Sequence, residues 1–193
     1  VNEFLIDAVE KSRVAQVVSL LKGAADPNTK DPSGYPVLCS ATLKGDLLIV
    51  DALLEAGANP NLCSEATQKT PLHYACSISN LFILKALLDK GASDKYGSIP
   101  LHEASKEGDK NLVTVLMGRG SSLNAQDADG NTPLHIAARW GQSEISAREV
   151  CFILLESEPD VNIADKNGRT PLLLAAYRGD SQIVECSLML VLI

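Results

Sequence analysis

Short apolar stripes alternate with polar, turn-rich stretches along the whole chain. The stripes have helical spacing: Val17-Val18 is followed by Leu20-Leu21, Ile49-Val50 by Leu53-Leu54, Leu84 by Leu87-Leu88, and Leu112-Val113 by Leu116-Met117. Apolar residues three and four apart share one face of a helix, so each stripe predicts a short amphipathic helix laid against a core. A second kind of run lies between them, built on Leu-x-x-Ala and starting at Leu5, Leu38, Leu72, Leu101, Leu134 and Leu172. The intervals are 33, 34, 29, 33 and 38 residues. Self-similarity at such a period marks a chain of stacked repeats, none of which can bury its apolar face alone. The spacing predicts six units in a single domain over 1–193, at about 1–30, 31–63, 64–94, 95–126, 127–164 and 165–193.

The text around the anchors recurs in register. It reads Thr70-Pro71-Leu72-His73-Tyr74-Ala75, Ile99-Pro100-Leu101-His102-Glu103-Ala104, Thr132-Pro133-Leu134-His135-Ile136-Ala137-Ala138 and Thr170-Pro171-Leu172-Leu173-Leu174-Ala175-Ala176. This resembles the ankyrin-repeat family, whose unit carries Thr-Pro-Leu-His-x-Ala, and the resemblance covers essentially the whole chain. It implies an all-α solenoid of about six helix-turn-helix units with β-hairpin fingers. The pieces also make mechanical sense. Thr caps a helix start, and Pro suits the first turn, where its missing N–H is no loss. Small alanines keep the first helix thin. Gly45, Gly108, Gly141 and Gly179 then end it in the left-handed conformation. Asp31-Pro-Ser-Gly34, Asp127-Ala-Asp-Gly130 and Asp165-Lys-Asn-Gly168 are turn sequences, and the resemblance makes them finger tips.

Departures from the pattern carry expectations of their own. The first unit reads Leu5-Ile6-Asp7-Ala8 without Thr-Pro, the second has Pro36-Val37-Leu38-Cys39, and the sixth has Leu173 at the His position. The third carries one extra residue before Thr70. Glycine-equivalent positions lie 14 or 15 residues before the helix Leu at Ala24, Gly57, Gly120 and Glu158, but Gly91 lies only 10 before Leu101. Four residues are therefore missing from the fourth finger, through a true deletion or an unobserved loop between Ser93 and Asp94. In the fifth unit Gly141 stands 13 residues before Leu154, against 8 from Gly45 to Leu53 and from Gly108 to Leu116. Five extra residues within Gln142–Arg148 are expected to bulge between its two helices. The last unit ends in bare Leu and Ile without a polar cap, as expected of a fragment of a longer protein or an end that packs on something else.

Composition narrows the function. Apolar residues at 46% and charged residues at 21% are ordinary globular values. A net charge of −7 with no run of basic residues argues against nucleic acid as a partner. The longest apolar stretch, 188–193, is far short of a membrane helix, and no secretory signal opens the chain. Cys39, Cys63, Cys76, Cys151 and Cys186 are odd in number and none are closer than 13 residues, which fits neither zinc ligation nor a disulfide framework. They read as small, reduced hydrophobic residues of a cytoplasmic or nuclear protein.

No catalytic motif occurs: there is no phosphate-binding Gly-rich loop and no nucleophile elbow. His73, His102 and His135 repeat in register, whereas a catalytic base needs a unique setting. The resemblance implies a ring bonded to the preceding Thr and to loop backbone, with a hydroxyl available at Thr70 and Thr132 but not at Ile99. Asp127 and Asp129 read as turn-formers. No enzyme activity, cofactor or metal site is expected. The resemblance implies a protein–protein interaction module that binds its partner through a concave face and finger tips. The alternative is the recognition or regulatory part of a larger enzyme, ubiquitin-ligase receptor or channel. The family's partner-contacting positions fall on Pro32, Ser33, Tyr35, Leu43, Lys44, Ser77, Ile78, Tyr96, Ser98, Lys106, Glu107, Ala128, Asp129, Asn131, Arg139, Trp140, Lys166, Asn167, Arg169, Tyr177 and Arg178. Trp140, the single tryptophan, is expected exposed beside Arg139, unless the insertion folds over it and buries it. Leu20-x₅-Asp26-Pro27-Asn28 and Leu154-x₅-Asp160-Val161-Asn162 resemble ankyrin sequences accepted by an asparaginyl hydroxylase, with turn-ordering asparagines as the alternative.

Overall fold

The structure, a computed structural model, describes residues 1–92, 99–140 and 145–191. The chain divides into two compact units, Val1–Ser93 and Asp94–Ile193. Helices account for all the regular structure among the described residues. In the first unit α1 (Asn2–Glu10), α3 (Val37–Leu43) and α5 (Pro71–Ser77) are each followed by a partner: α2 (Val14–Lys22), α4 (Leu47–Glu55) and α6 (Leu81–Asp89). In the second unit α7 (Pro100–Glu107), α9 (Pro133–Trp140) and α11 (Pro171–Arg178) are followed by α8 (Lys110–Gly118), α10 (Ile145–Glu156) and α12 (Ser181–Val191).

Within each unit the first helices pack on one another and the second helices form a layer behind them. Thus α3 touches α1, α4 and α5, while α4 touches α2 and α6; in the other unit α9 touches α7, α10 and α11, while α10 touches α8 and α12. The anchor leucines fill the space between the layers. Leu5, Leu38, Leu72, Leu101 and Leu134 are fully buried, as are Ile49, Leu53, Ile83, Leu84, Leu87, Leu112 and Leu116. Each such side chain contributes roughly 1.5–3 kcal/mol relative to exposure. The α2 stripe is thinner: only Val17 is fully covered.

The expected turn chemistry is present. Gly45, Gly108 and Gly179 take φ of +73°, +72° and +76° at the ends of α3, α7 and α11. The glycine-equivalents read by counting, Ala24 and Glu158, adopt the same left-handed backbone at +66° and +54° despite their side chains. Gly141 and the shortened fourth finger around Ser93 and Asp94 lie outside the described residues.

Two expectations change. The fingers are turns rather than strand hairpins: among the described residues no strand forms, and the one antiparallel bridge joins Lys30 to Pro36. The insertion, expected to bulge, goes partly into helix. Helix α10 has 12 residues where α8 has 9, and it begins nine residues before Leu154, while α8 begins six before Leu116. Extending a helix satisfies backbone N–H and C=O groups that a bulge would leave to solvent. Arg148 on α10 then reaches the next pair, where Nε donates to Oδ2 of buried Asp180 at 3.2 Å.

Candidate binding surface

The finger tips are built the same way three times. The carboxylate Oδ1 of Asp31 accepts from the N–H groups of Ser33 and Tyr35, both at 2.9 Å. Asp127 does the same for Asp129 and Asn131 at 2.9 and 2.8 Å, and Asp165 for Asn167 and Arg169 at 2.8 and 3.0 Å. One side chain thus closes each turn, which is why Asp opens the tip and Gly ends it. For Asp165, burial alone would push the carboxyl up. The bonds from Arg169 and Asn167 outweigh it and hold the group at about 2. Asp127 and Asp165 are therefore committed to turn geometry, as the sequence suggests.

Neighbouring tips lock together. In the second unit the Lys166 N–H donates to the Asp129 carbonyl at 2.9 Å, and Gln126 Nε2 spans both fingers, donating to the carbonyls of Gly130 (2.8 Å) and Ala164 (3.2 Å). In the first, the Glu65 N–H donates to the Gly34 carbonyl at 3.2 Å and Lys30 pairs with Glu65 at 2.8 Å. Gly130 sits in this contact at φ +80°, where an added Cβ would lie 3.0 Å from the Lys166 backbone nitrogen and 3.2 Å from Asp165 Cα. Gly168 has a similar φ of +72° with nothing within 4 Å. Gly168→Ala should therefore lose about 1 kcal/mol, from the left-handed backbone alone. Gly130→Ala should lose at least about twice that, because backbone must also move. Urea unfolding of the two variants checks the difference; equal losses would mean the tips do not press on each other.

The histidines hold the base of each finger. His135 is fully buried; its Nδ1 accepts from the Thr132 backbone N–H at 3.1 Å and from the Thr132 hydroxyl at 2.8 Å. Nε2 therefore carries the proton and donates to the Arg169 carbonyl of the next finger at 2.9 Å. His102 repeats the pattern without a hydroxyl: Nδ1 accepts from the Ile99 N–H at 3.2 Å and Nε2 donates to the Asn131 carbonyl at 2.8 Å. At His73, Nδ1 meets Thr70 in the same way. Asparagines add a second row of links. Asn28 Oδ1 accepts from the Asn59 N–H at 2.7 Å, and Asn124 Oδ1 from the Asp160 N–H at 2.9 Å.

This frame decides what each candidate partner residue can offer. Leu43 is 51% exposed, and Lys44, Pro32 and Ser33 are also exposed. Tyr35 is half-buried, its ring 6.4 Å from that of Tyr74; Ser77 and Ile78 are half-buried as well. Tyr96 and Ser98 lie outside the described residues. In the second unit Lys106, Glu107, Ala128, Asp129, Lys166, Asn167 and Arg178 are exposed. Tyr177 is 91% exposed and Trp140 is 43% exposed, so Trp140 is not covered. Asn131 departs from expectation: it is buried, with Nδ2 donating to Asp127 and Oδ1 accepting from Arg139 Nη2 at 3.2 Å. Its amide is occupied inside the finger base and does not reach the surface. Arg169 is half-buried with its guanidinium 2.7 Å from Asp165 Oδ2, so its charge is largely neutralised.

Because α7, α9 and α11 pack side by side, their ends bring Lys106, Glu107, Arg139, Trp140, Tyr177 and Arg178 into one stripe. Sequence reasoning missed the exposed Leu173, 53% exposed in place of a histidine, and the exposed Leu48 and Phe82 near the starts of α4 and α6. It also missed the caps of the second helices. Asp46, Asp109 and Asp180 accept from the N–H groups of Ile49, Leu112 and Ile183. The signal was legible, an Asp directly after Gly45, Gly108 and Gly179.

The described residues contain no group of three or more His, Cys, Asp or Glu placed to hold a metal ion. None of their helices is long and apolar enough to cross a membrane. Burial pushes the Cys39 thiol up to about 12 and raises that of Cys151 further, which keeps both protonated and unreactive.

Helix pairs, locked tips and histidines at three of the finger bases define a repeat-built scaffold. The family model for ankyrin repeats (three copies) matches residues 5–99, 38–127, 83–148 and 101–190, and the chain belongs to the ankyrin-repeat family. It is similar to a solved ankyrin repeat domain from Acinetobacter baumannii AYE, with 28% identity, 96% of each chain covered and a TM-score of 0.89. Among curated proteins it is 32% identical over 120 residues to the E3 ubiquitin-protein ligase KEG of Arabidopsis thaliana, covering 58% of this chain and 7% of that protein. It is 31% identical over 146 residues to the tyrosine-protein kinase HTK16 of Hydra vulgaris, covering 72% of this chain and 17% of that one. The chain thus spans less than a fifth of either relative.

Proposed function

We propose that this chain is a non-catalytic protein-interaction module of about six repeats, and that residues 94–193 make its main contact through the ends of α7, α9 and α11. The observation that carries this is the exposure of Trp140 and Tyr177 on adjoining helices beside Arg139 and Arg178. Exposed large aromatics are costly in water without a use, and Trp, Tyr and Arg dominate binding hot spots. The locked finger tips beside them supply a rigid frame, which lowers the ordering cost of binding. A photo-crosslinking residue placed at Tyr177 should give adducts with a protein from cell extract, while the same residue at Gln182, exposed on α12, should not. Adducts from Gln182 alone would move the surface to the second helices.

A second reading is supported by the share of the relatives that the chain covers: it supplies recognition to a larger protein whose chemistry lies in another domain, as in a ligase or kinase. The free thiols of Cys39, Cys63 and Cys151 fit a reducing compartment, the cytoplasm or nucleus.

The two candidate hydroxylation sites differ in what their amides do. Asn28 Oδ1 is taken by the Asn59 N–H, whereas Asn162 is exposed and only its backbone N–H is bonded, to Asp160 Oδ1. In animal cells co-expressing an asparaginyl hydroxylase, mass spectrometry should find an added oxygen on the Asn162 peptide and little on the Asn28 peptide. The reverse order would show that the Asn28 bond does not protect.

A further inference from the structure

We propose that the stripe at the ends of α7, α9 and α11 receives an acidic segment of another protein, one whose Asp or Glu residues flank an aromatic or leucine side chain. This rests on reading the stripe as the partner surface and adds the chemistry of the partner. The chain carries −7 overall. Yet the positions five and six residues after Leu101, Leu134 and Leu172 hold three cations, Lys106, Arg139 and Arg178, against one acid, Glu107. The remaining two are Trp140 and Tyr177. Three cations therefore adjoin the exposed Trp140 and Tyr177, on a protein whose net charge is negative.

The ordinary explanation for a cation near a helix C-terminus is compensation of the helix dipole. Here it does not suffice. Helix α5 has no basic residue in its last turn or at its C-cap, so this stack does not require one; α3 has Lys44 at its C-cap, and α7, α9 and α11 have Lys106, Arg139 and Arg178 in the last turn. Nor are the outer two used in ion pairs: neither Lys106 nor Arg178 makes a salt bridge among the described residues, and both are exposed. Arg139 is held differently. Its Nη2 donates to the buried Asn131 amide at 3.2 Å, which fixes the guanidinium at the junction of helix and finger while leaving further N–H groups to donate. An arginine oriented in this way loses less freedom on meeting a carboxylate.

The other ligand chemistries fit less well. A basic segment would set like charges against three cations, and a purely apolar one would strip their water without replacing it. Acidic groups border the stripe at Glu103 on α7 and Asp129 on the finger, and they limit where a carboxylate can lie. Carboxylates meeting Lys106, Arg139 and Arg178, with an apolar side chain against Trp140 and Tyr177, match all five residues.

The test pans the full chain against random dodecapeptides displayed on phage and measures the selected peptides, carrying a fluorescent label, by anisotropy against the wild type, the charge variants below and Trp140→Ala. The expected pool is enriched in Asp and Glu around an aromatic or leucine. Its affinity should fall about tenfold or more from 50 to 500 mM NaCl, since screening weakens exposed charge pairs. Lys106→Glu with Arg178→Glu should weaken binding further, and Lys106→Gln with Arg178→Gln by less, at unchanged melting temperature. A pool without acidic bias, acidic peptides indifferent to both double variants, or no enrichment at all would overturn the inference. Neutral peptides that need Trp140 would overturn it while leaving the stripe as the partner surface; peptides indifferent to Trp140 as well would remove both.

Discussion

Replacing His135 by alanine is expected to lower the melting temperature by roughly 6–12 °C, from a stability loss of about 3 kcal/mol. The ring is fully buried and satisfies three groups at once: the Thr132 N–H, the Thr132 hydroxyl and the Arg169 carbonyl. Alanine leaves the Thr132 N–H without a partner and the Arg169 carbonyl with only its bond from the Asp165 N–H, and a buried unsatisfied group costs about 1–3 kcal/mol. Partner affinity of the folded variant should change little, because the ring does not reach the surface. Wild-type stability with binding abolished would contradict this. The same ring gives a pH signature. Burial is the main influence on its pKa and lowers it below the ordinary 6.5, although the bond to the Arg169 carbonyl and the carboxylates of Asp165 and Asp127 oppose the shift. Between the lowered value and 6.5 the unfolded chain binds a proton that the native ring resists. The contribution of His135 is therefore complete above about pH 6.5 and declines as the pH falls through that window, by at most about 1.4 kcal/mol per pH unit. The difference in stability between wild type and His135→Ala should shrink on acidification below pH 6.5. A constant difference would mean that His135 does not titrate differently in the two states.

The backbone was legible in the sequence to a fine level because repetition averages out local noise. Ala24 and Glu158 carry no turn signal of their own, yet counting back from the helix Leu assigns them the glycine role, and both have positive φ. The histidine at each finger base was legible for the same reason, since position in the unit sets its neighbours. Legibility ended where a side chain answers to something specific to one place. Asn131 follows the finger Gly like Tyr35 and Arg169, yet it is buried, bonded to Asp127 and to Arg139 eight residues later. Arg169 carries a charge in the sequence that Asp165 neutralises in space. The insertion could be counted but not shaped. Part of it extends α10, and Arg148 of that helix meets Asp180, a contact 32 residues away that periodicity does not report.

Trp140→Ala is expected to weaken partner binding by about 2 kcal/mol or more, roughly thirtyfold, with little loss of stability. The indole lies at the end of α9 with 43% of its surface exposed, so it is not a core residue. A tryptophan anchored at one edge and open at the other presents a large, stiff surface that has few rotamers to lose on binding. Its neighbours strengthen the expectation. Arg139 is oriented by Asn131, and Tyr177, 91% exposed on the adjoining helix, extends the same stripe. Tyr177→Ala should act in the same direction, and because the two rings share a partner their losses should not add. Titration of the captured partner against both single variants and the double variant, with melting temperatures measured alongside, separates the outcomes. A large fall in melting temperature with affinity intact would make Trp140 a packing residue. The contact would then move to the finger tips, where Asp129 and Lys166 stand exposed and the tip backbone is already locked.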